Sequence, residues 1–289
     1  SALFSNTGGD GNTAIGSKAL YTNNTGDSST AVGYRVLYSN TTGGGNTATG
    51  TASLFSNTTG SFNTASGFNS LRFNTSGNLN VALGVAALYN NTTMGSLVAV
   101  GDSTLFNNTG GDGNTALGSR ALYANNTGNY NTATGYGALS KNTSAVANTA
   151  TGYRALYLNS TGENNIAQGY QALYSNSSGS LNVATGRESL YSNTTGGNNT
   201  ALGSQALFSN STGSYNVGIG QSALFSNTTG LGNMGQGYQT LYANTTGSYN
   251  VAVGYGALVF NTIGINNVGL GYAALRQNTT AYANVGVGV

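Results

Sequence analysis

Asn-Thr-Ala-x-Gly recurs at Asn12, Asn46, Asn63, Asn114, Asn131, Asn148 and Asn199, with variants such as Asn182-Val-Ala-Thr-Gly between them, and every interval is a multiple of 17 residues. Numbered from Asn12, the unit reads N-T-A-x-G-Y-x-A-L-Y-S-N-T-T-G-x-x. The frame runs through all 289 residues without insertion or deletion, the length itself being 17 × 17. A repeated helix pair needs about 30 residues or more and apolar spacing near 3.6. A 17-residue unit cannot hold one, which leaves the coil of a β-solenoid.

The columns of this array differ in strictness. Column 5 is Gly in all 17 occurrences (Gly16, Gly33, Gly50 and onward to Gly288), column 9 is Leu in all 17 (Leu3, Leu20, Leu37, Leu54 to Leu275) and column 12 is Asn in all 17 (Asn6, Asn23, Asn40, Asn57 to Asn278). Column 3 is always Ala or Gly. Column 2 is β-branched except at Met234, and column 10 is aromatic except at Arg72, Ser140, Val259 and Arg276. β-branched residues in column 2 and turn formers in columns 12 to 15 suit stacked parallel coils. The expectation is an all-β parallel solenoid, a β-roll or β-helix, with one coil per repeat and about 17 coils. Each coil supplies two short strands, over columns 1–5 and 7–11. Coils ~4.8 Å apart make a rod roughly 80 Å long. Leu of column 9 faces the small residue of column 3 across a thin core, Gly of column 5 takes a left-handed or crowded corner, and Asn of column 12 stacks into an amide ladder.

Composition narrows the chemistry. Only 8 basic and 6 acidic residues occur, 5% of the chain, and Cys, His, Pro and Trp are all absent. Disulfides, thiolate and imidazole metal sites, Cys or His nucleophiles and imidazole bases are therefore excluded. Pro is missing because interior coils need every backbone N–H. A net charge of +2 offers no basic patch for nucleic acid, and apolar runs such as 98–100 are too short to span a bilayer. Such a composition alone would be filed as low-complexity and disordered; the periodicity overrides it. The opening Ser1-Ala-Leu-Phe lacks an initiator Met and a signal-peptide layout, which reads as a processed or excised segment.

Residues 1–11 fill columns 7–17 and residues 284–289 fill columns 1–6, with no capping repeat at either end. The expectation is one uninterrupted array over 1–289, continued beyond both ends by the same or another chain. Ser1, Leu3, Val287 and Val289 are its candidate assembly residues, joining copies head to tail. Columns 2 and 4 grow more apolar along the chain, from Thr47/Thr49 and Thr64/Ser66 to Val217/Ile219, Val251/Val253, Val268/Leu270 and Val285/Val287. This pattern fits either a lateral interface between copies, such as the inside of a trimer, or the filling of a wider core.

The Asn-Thr-Ala-x-Gly core followed by Ala-Leu-Tyr-Ser-Asn-Thr-Thr-Gly resembles the repeats of bacterial and phage tail-fibre-like proteins, and more loosely the head repeats of trimeric autotransporter adhesins of the YadA type. The resemblance spans the whole chain. It implies a β-roll or β-helix, often trimeric, exposed on a cell or virion as a stalk or adhesive head. The positions that match are structural: the small residue of column 3, as in Ala14 and Ala31, and the Gly of column 5.

Several local patterns invite functional readings. Fourteen of the 17 column-12 Asn residues lie in Asn-x-Ser/Thr, the layout of N-glycosylation. The column stays Asn at Asn6, Asn108 and Asn261, where that layout fails, which favours the ladder. Gly8-Gly9-Asp10-Gly11-Asn12 and Gly110-Gly111-Asp112-Gly113-Asn114 look like half of a calcium β-roll motif, but the true motif recurs every nine residues; solvated turns are the better reading. Asp10, Asp27, Asp112 and Glu163 share column 16, and Lys18, Arg35, Arg120 and Arg154 share column 7, which marks both as outward. Asp10 and Asp27 stack on adjacent coils without a cleft, so no catalytic, metal or cofactor site is expected. Tyr136, Tyr153 and Tyr170 follow one another in column 6, and Tyr157, Tyr174 and Tyr191 in column 10. Such phenols either stabilise the stack or offer a glycan platform. Thr ladders suit ice, although column 4 breaks the match at Gln168, Leu202 and Gln236. The function expected is a non-enzymatic extracellular fibre, filament or stalk on a cell or virion surface, self-associating and serving attachment. The alternative is an adhesive module that binds surface glycans through Tyr ladders or ice through Thr ladders.

Overall fold

A computed structural model describes residues 1–289. The chain forms two compact units, 1–146 and 147–289. Each is a parallel β-solenoid with one coil per 17-residue repeat. The first carries strands β1 (Thr13–Ile15) to β8 (Thr132–Thr134), one per repeat, and the second carries β9 (Thr149–Thr151) to β17 (Val285–Val287). Every strand is three residues long, columns 2 to 4, and within each unit successive strands pair in parallel with identical columns opposed, as in Thr13↔Thr30, Ala14↔Ala31 and Ile15↔Val32. Strand alternation sends column 3 inward and columns 2 and 4 outward. The late Val/Ile/Leu residues of columns 2 and 4 therefore stand on the outer sheet face and do not widen the core.

The second expected strand, columns 7–11, does not form. Column 7 lies at φ 51–65° from Lys18 to Ala273, and all 17 Leu of column 9 lie at φ 46–54°. A strand needs φ near −120°, and two left-handed residues separated by one position turn the chain too tightly for it. Coil-to-coil hydrogen bonding persists regardless. Leu20 N–H donates to Val36 O at 3.0 Å and Thr22 N–H to Tyr38 O at 3.2 Å in the following coil, whereas Arg35 N–H reaches back to Ser17 O at 3.0 Å. The left-handed residues swing successive N–H groups toward opposite neighbours, so this edge is satisfied without extended backbone. A left-handed Leu costs about 1–2 kcal/mol. Full burial of its side chain, seen from Leu20 to Leu258, is worth about 1.5–3 kcal/mol. Burial wins narrowly, and Gly in its place would be relaxed but would leave the core empty.

Gly of column 5 meets both parts of its expectation. Its φ runs from 108 to 138°, a region closed to side chains. A Cβ on Gly118 would come within 2.8 Å of the Gly135 carbonyl in the next coil. The core is one residue thick on each side: Leu of column 9 lies against column 3 of the next repeat, as where a Cβ on Gly218 would sit 3.4 Å from Leu207 Cγ, and the small residues of column 8 (Ala19, Val36, Ala121, Ala206) are buried beside it.

Candidate functional site

The buried side chains that most distinguish this molecule are amides. In column 12, Asn23 Nδ2 donates to Asn6 Oδ1 at 2.9 Å and to Gly26 O at 2.9 Å; Asn40 repeats this toward Asn23 at 2.7 Å and Gly43 at 2.9 Å, and Asn57 toward Asn40 at 2.8 Å and Gly60 at 2.9 Å. Asn23, Asn40 and Asn57 are fully buried. Both amide hydrogens are engaged, which leaves Nδ2 no room for a glycan in the folded coil.

A second amide ladder, in column 1, escaped the sequence reading. Asn165 N–H and Nδ2 both donate to Asn148 Oδ1, at 2.9 and 3.1 Å, and Nδ2 also reaches Gly179 O at 2.9 Å. The pattern recurs at Asn182, Asn199 and Asn216. Its signal was present in the near-invariance of column 1 but resembled strand-flanking polarity. Ser29 and Leu97 weaken this ladder: Ser29 Oγ still accepts from Asn46 N–H at 3.2 Å, whereas Leu97 has no side-chain acceptor to offer.

The aromatic columns are geometrically distinct. Tyr157, Tyr174, Tyr191, Phe208, Phe225 and Tyr242 form one half-buried stack in column 10, with centroids 5.1–5.4 Å apart and planes within 9°. Phe4, Tyr21, Tyr38 and Phe55 also stack in the first unit, with Phe4 exposed at the end of the run, and the Arg72 guanidinium caps Phe55 at 5.2 Å. Column 6 is more exposed. Tyr153 stacks on Tyr170 at 5.3 Å and Tyr238, Tyr255 and Tyr272 follow one another, while Tyr136 stands exposed in the first unit. In these stacks the ring faces are turned to one another, so a ligand beside them meets ring edges and hydroxyls. Column-7 cations lie over these rings, Arg35 on Tyr34 at 5.1 Å and Arg154 on Tyr153 at 5.2 Å and Tyr157 at 5.3 Å.

Column 16 does more than carry exposed charge. Asp27 Oδ1 accepts the Asp10 N–H at 2.7 Å, and Asn129 Oδ1 accepts that of Asp112 at 2.7 Å, so the side chain of one coil clamps the turn of the coil before it. The half-motifs read as solvated turns are held this way. Ser1 and Leu3 open the first unit, Leu3 N–H donating to Ala19 O at 3.0 Å; Val287 ends β17, and Val289 is exposed. No helix is long and apolar enough to cross a membrane.

No protein-family model and no curated protein matches the chain. What stands on geometry is a 17-residue tandem-repeat β-solenoid with amide ladders.

Proposed function

We propose that the chain is a non-catalytic structural protein of the fibre, filament or stalk type, displayed outside the cell or on a virion and serving surface attachment. The supporting observation is the sameness of its coils. Each repeat contributes the same three-residue strand, and the amide ladders recur at 17-residue intervals. Such quasi-one-dimensional repetition spreads load over equal units, while the regular spacing allows length to vary without a new fold. In this reading the tail-fibre and adhesin-head resemblance is functional. The outward Val, Ile and Leu of columns 2 and 4 serve lateral association with further copies, a trimer among the arrangements, and head-to-tail joining extends the assembly.

Electron microscopy of the purified native material tests this, with the power spectrum read for an axial repeat near ~4.8 Å. Uniform fibres or stalks with that repeat, labelled by antibody on the outside of cells or virions, are the expected result. Dispersed monomers inside cells would overturn it.

A further inference from the structure

Four exposed aromatics share a third column, outside both Tyr columns, and have no role in the core. Phe62, Tyr130, Tyr215 and Tyr249 occupy column 17 and are 65, 70, 67 and 60% exposed. All four are left-handed, at φ 58, 56, 61 and 58°. A bulky residue in that conformation is strained, and with most of its surface exposed, burial offsets little of the strain. Strain at a solvent-facing side chain points away from stability as the reason for the ring.

Each ring sits on the same small device. The local sequence is Gly-Ser/Asn-aromatic-Asn in every case: 60–63, 128–131, 213–216 and 247–250. The preceding side chain clamps the turn to the coil before it, Ser61 Oγ accepting from Gly44 N–H at 3.1 Å, Asn129 Oδ1 from Asp112 N–H at 2.7 Å, Ser214 Oγ from Gly197 N–H at 3.1 Å and Ser248 Oγ from Leu231 N–H at 3.0 Å. The aromatic residue adds its own N–H to the carbonyl of that same residue, from Phe62 to Gly44 at 3.0 Å through Tyr249 to Leu231 at 2.8 Å. Three of the rings lie over a glycine of the previous coil, where a Cβ would come within 2.7 Å of the Phe62 ring at Gly45, 2.8 Å of Tyr130 at Gly113 and 2.9 Å of Tyr249 at Gly232. The backbone beneath each ring is thus fixed before any ligand arrives, and preorganisation of this kind lowers the entropy cost of binding.

We propose that these column-17 rings are contacts for a neutral polysaccharide. None of them stacks on another ring, so the face turned away from the coil before is not occupied as the ring faces of columns 6 and 10 are. Ser61, Asn129, Ser214 and Ser248 hold the turns beneath them, Asp112 under Tyr130 being the one charged residue among the clamped positions, on a chain with only 5% charged residues, which matches an uncharged polyhydroxylated ligand and not a phosphate-bearing surface. Tyr215 and Tyr249 stand two coils apart in one unit, roughly 9.6 Å at the parallel-strand spacing, close to the disaccharide repeat of an extended β-linked glycan. Rigid aromatic anchors flanked by Ser and Asn are also the chemistry that recognition loops favour. The proposal does not depend on fibre formation.

The full-length chain is tested for retention on cellulose, chitin and immobilised mannan, with phenyl-agarose as an apolar comparison. Tyr215→Gly/Tyr249→Gly and Tyr215→Asn/Tyr249→Asn are the variants, because both replacements accept the left-handed backbone and Asn already stands in column 17 at Asn164, Asn198 and Asn266. Expected is retention of the parent by at least one polysaccharide, weakened about two- to tenfold per ring removed, with melting temperature unchanged or raised. Retention by phenyl-agarose alone, retention that survives both double variants, or retention lost only together with melting temperature would overturn the proposal. Fibres that bind no polysaccharide would sink it while leaving the structural reading standing; binding by unassembled chains would do the reverse.

Discussion

At the scale of single residues, the fold rests on a few groups held where few alternatives fit. Gly118 combines φ 122° with a next-coil carbonyl 2.8 Å from where a Cβ would stand. Strain and overpacking together should make Gly118→Ala cost about 4 kcal/mol in urea unfolding. The amides offer the opposite test. Ser29 is buried and interrupts column 1, between Asn12 and Asn46. Ser29→Asn places an amide where the other coils show Nδ2 donating to the preceding Oδ1 and to a column-15 carbonyl, and should stabilise by about 1 kcal/mol. A loss of stability on chemical denaturation would mean that the column-1 amides serve only to fill space. The left-handed Leu of column 9 was invisible to propensity reasoning, because its apolar character and regular spacing suit an ordinary strand equally well.

At the scale of elements, the smallest cooperative object is a column and not a strand. A three-residue strand offers little to its neighbours by itself, whereas the ring stack from Tyr157 to Tyr242 runs through six consecutive repeats. Tyr191→Ala removes two stacked neighbours, Tyr174 and Phe208. At about 0.5–1.5 kcal/mol per pair, the loss should be roughly 1–3 kcal/mol beyond the area term, read as a lowered denaturation midpoint. Phe68→Ala, at an exposed column-6 ring whose column neighbours are Thr51 and Val85, provides a contrast and should cost less. The two-strand coil expected from the repeat failed at this scale. Columns 7 to 11 do bond from coil to coil, but through alternating left-handed turns.

At the scale of the whole molecule, each 17-residue unit adds the same interfaces, so length should be an adjustable quantity. Deletion of residues 182–198, one full repeat of the second unit, keeps every remaining column in frame. Circular dichroism should retain its β signature, with a melting temperature within a few degrees of the parent. Deletion of 182–197 leaves one residue over at a single coil junction, where the Asn, Gly and Leu positions of the two flanking coils no longer oppose one another, and the second unit should melt clearly below the in-frame deletion. Equal behaviour of the two deletions would show that stability does not reside in the stacked columns.

The sequence by itself determined the repeat length, the all-β parallel solenoid, the inward Leu and small-residue columns, the corner glycine and the column-12 amide ladder. Each of these depends on an identity, or on a narrow size class as in the Ala or Gly of column 3, recurring at a fixed interval, since few side chains satisfy the local packing. Tertiary structure alone decided that columns 7 and 9 are left-handed, that a second amide ladder occupies column 1, that column-16 side chains clamp the preceding turn, and that the column-17 rings lie singly while those of columns 6 and 10 stack. These depend on which coil a backbone N–H or a ring faces, and that direction is set by φ and by the neighbouring coil, neither of which a one-dimensional pattern encodes.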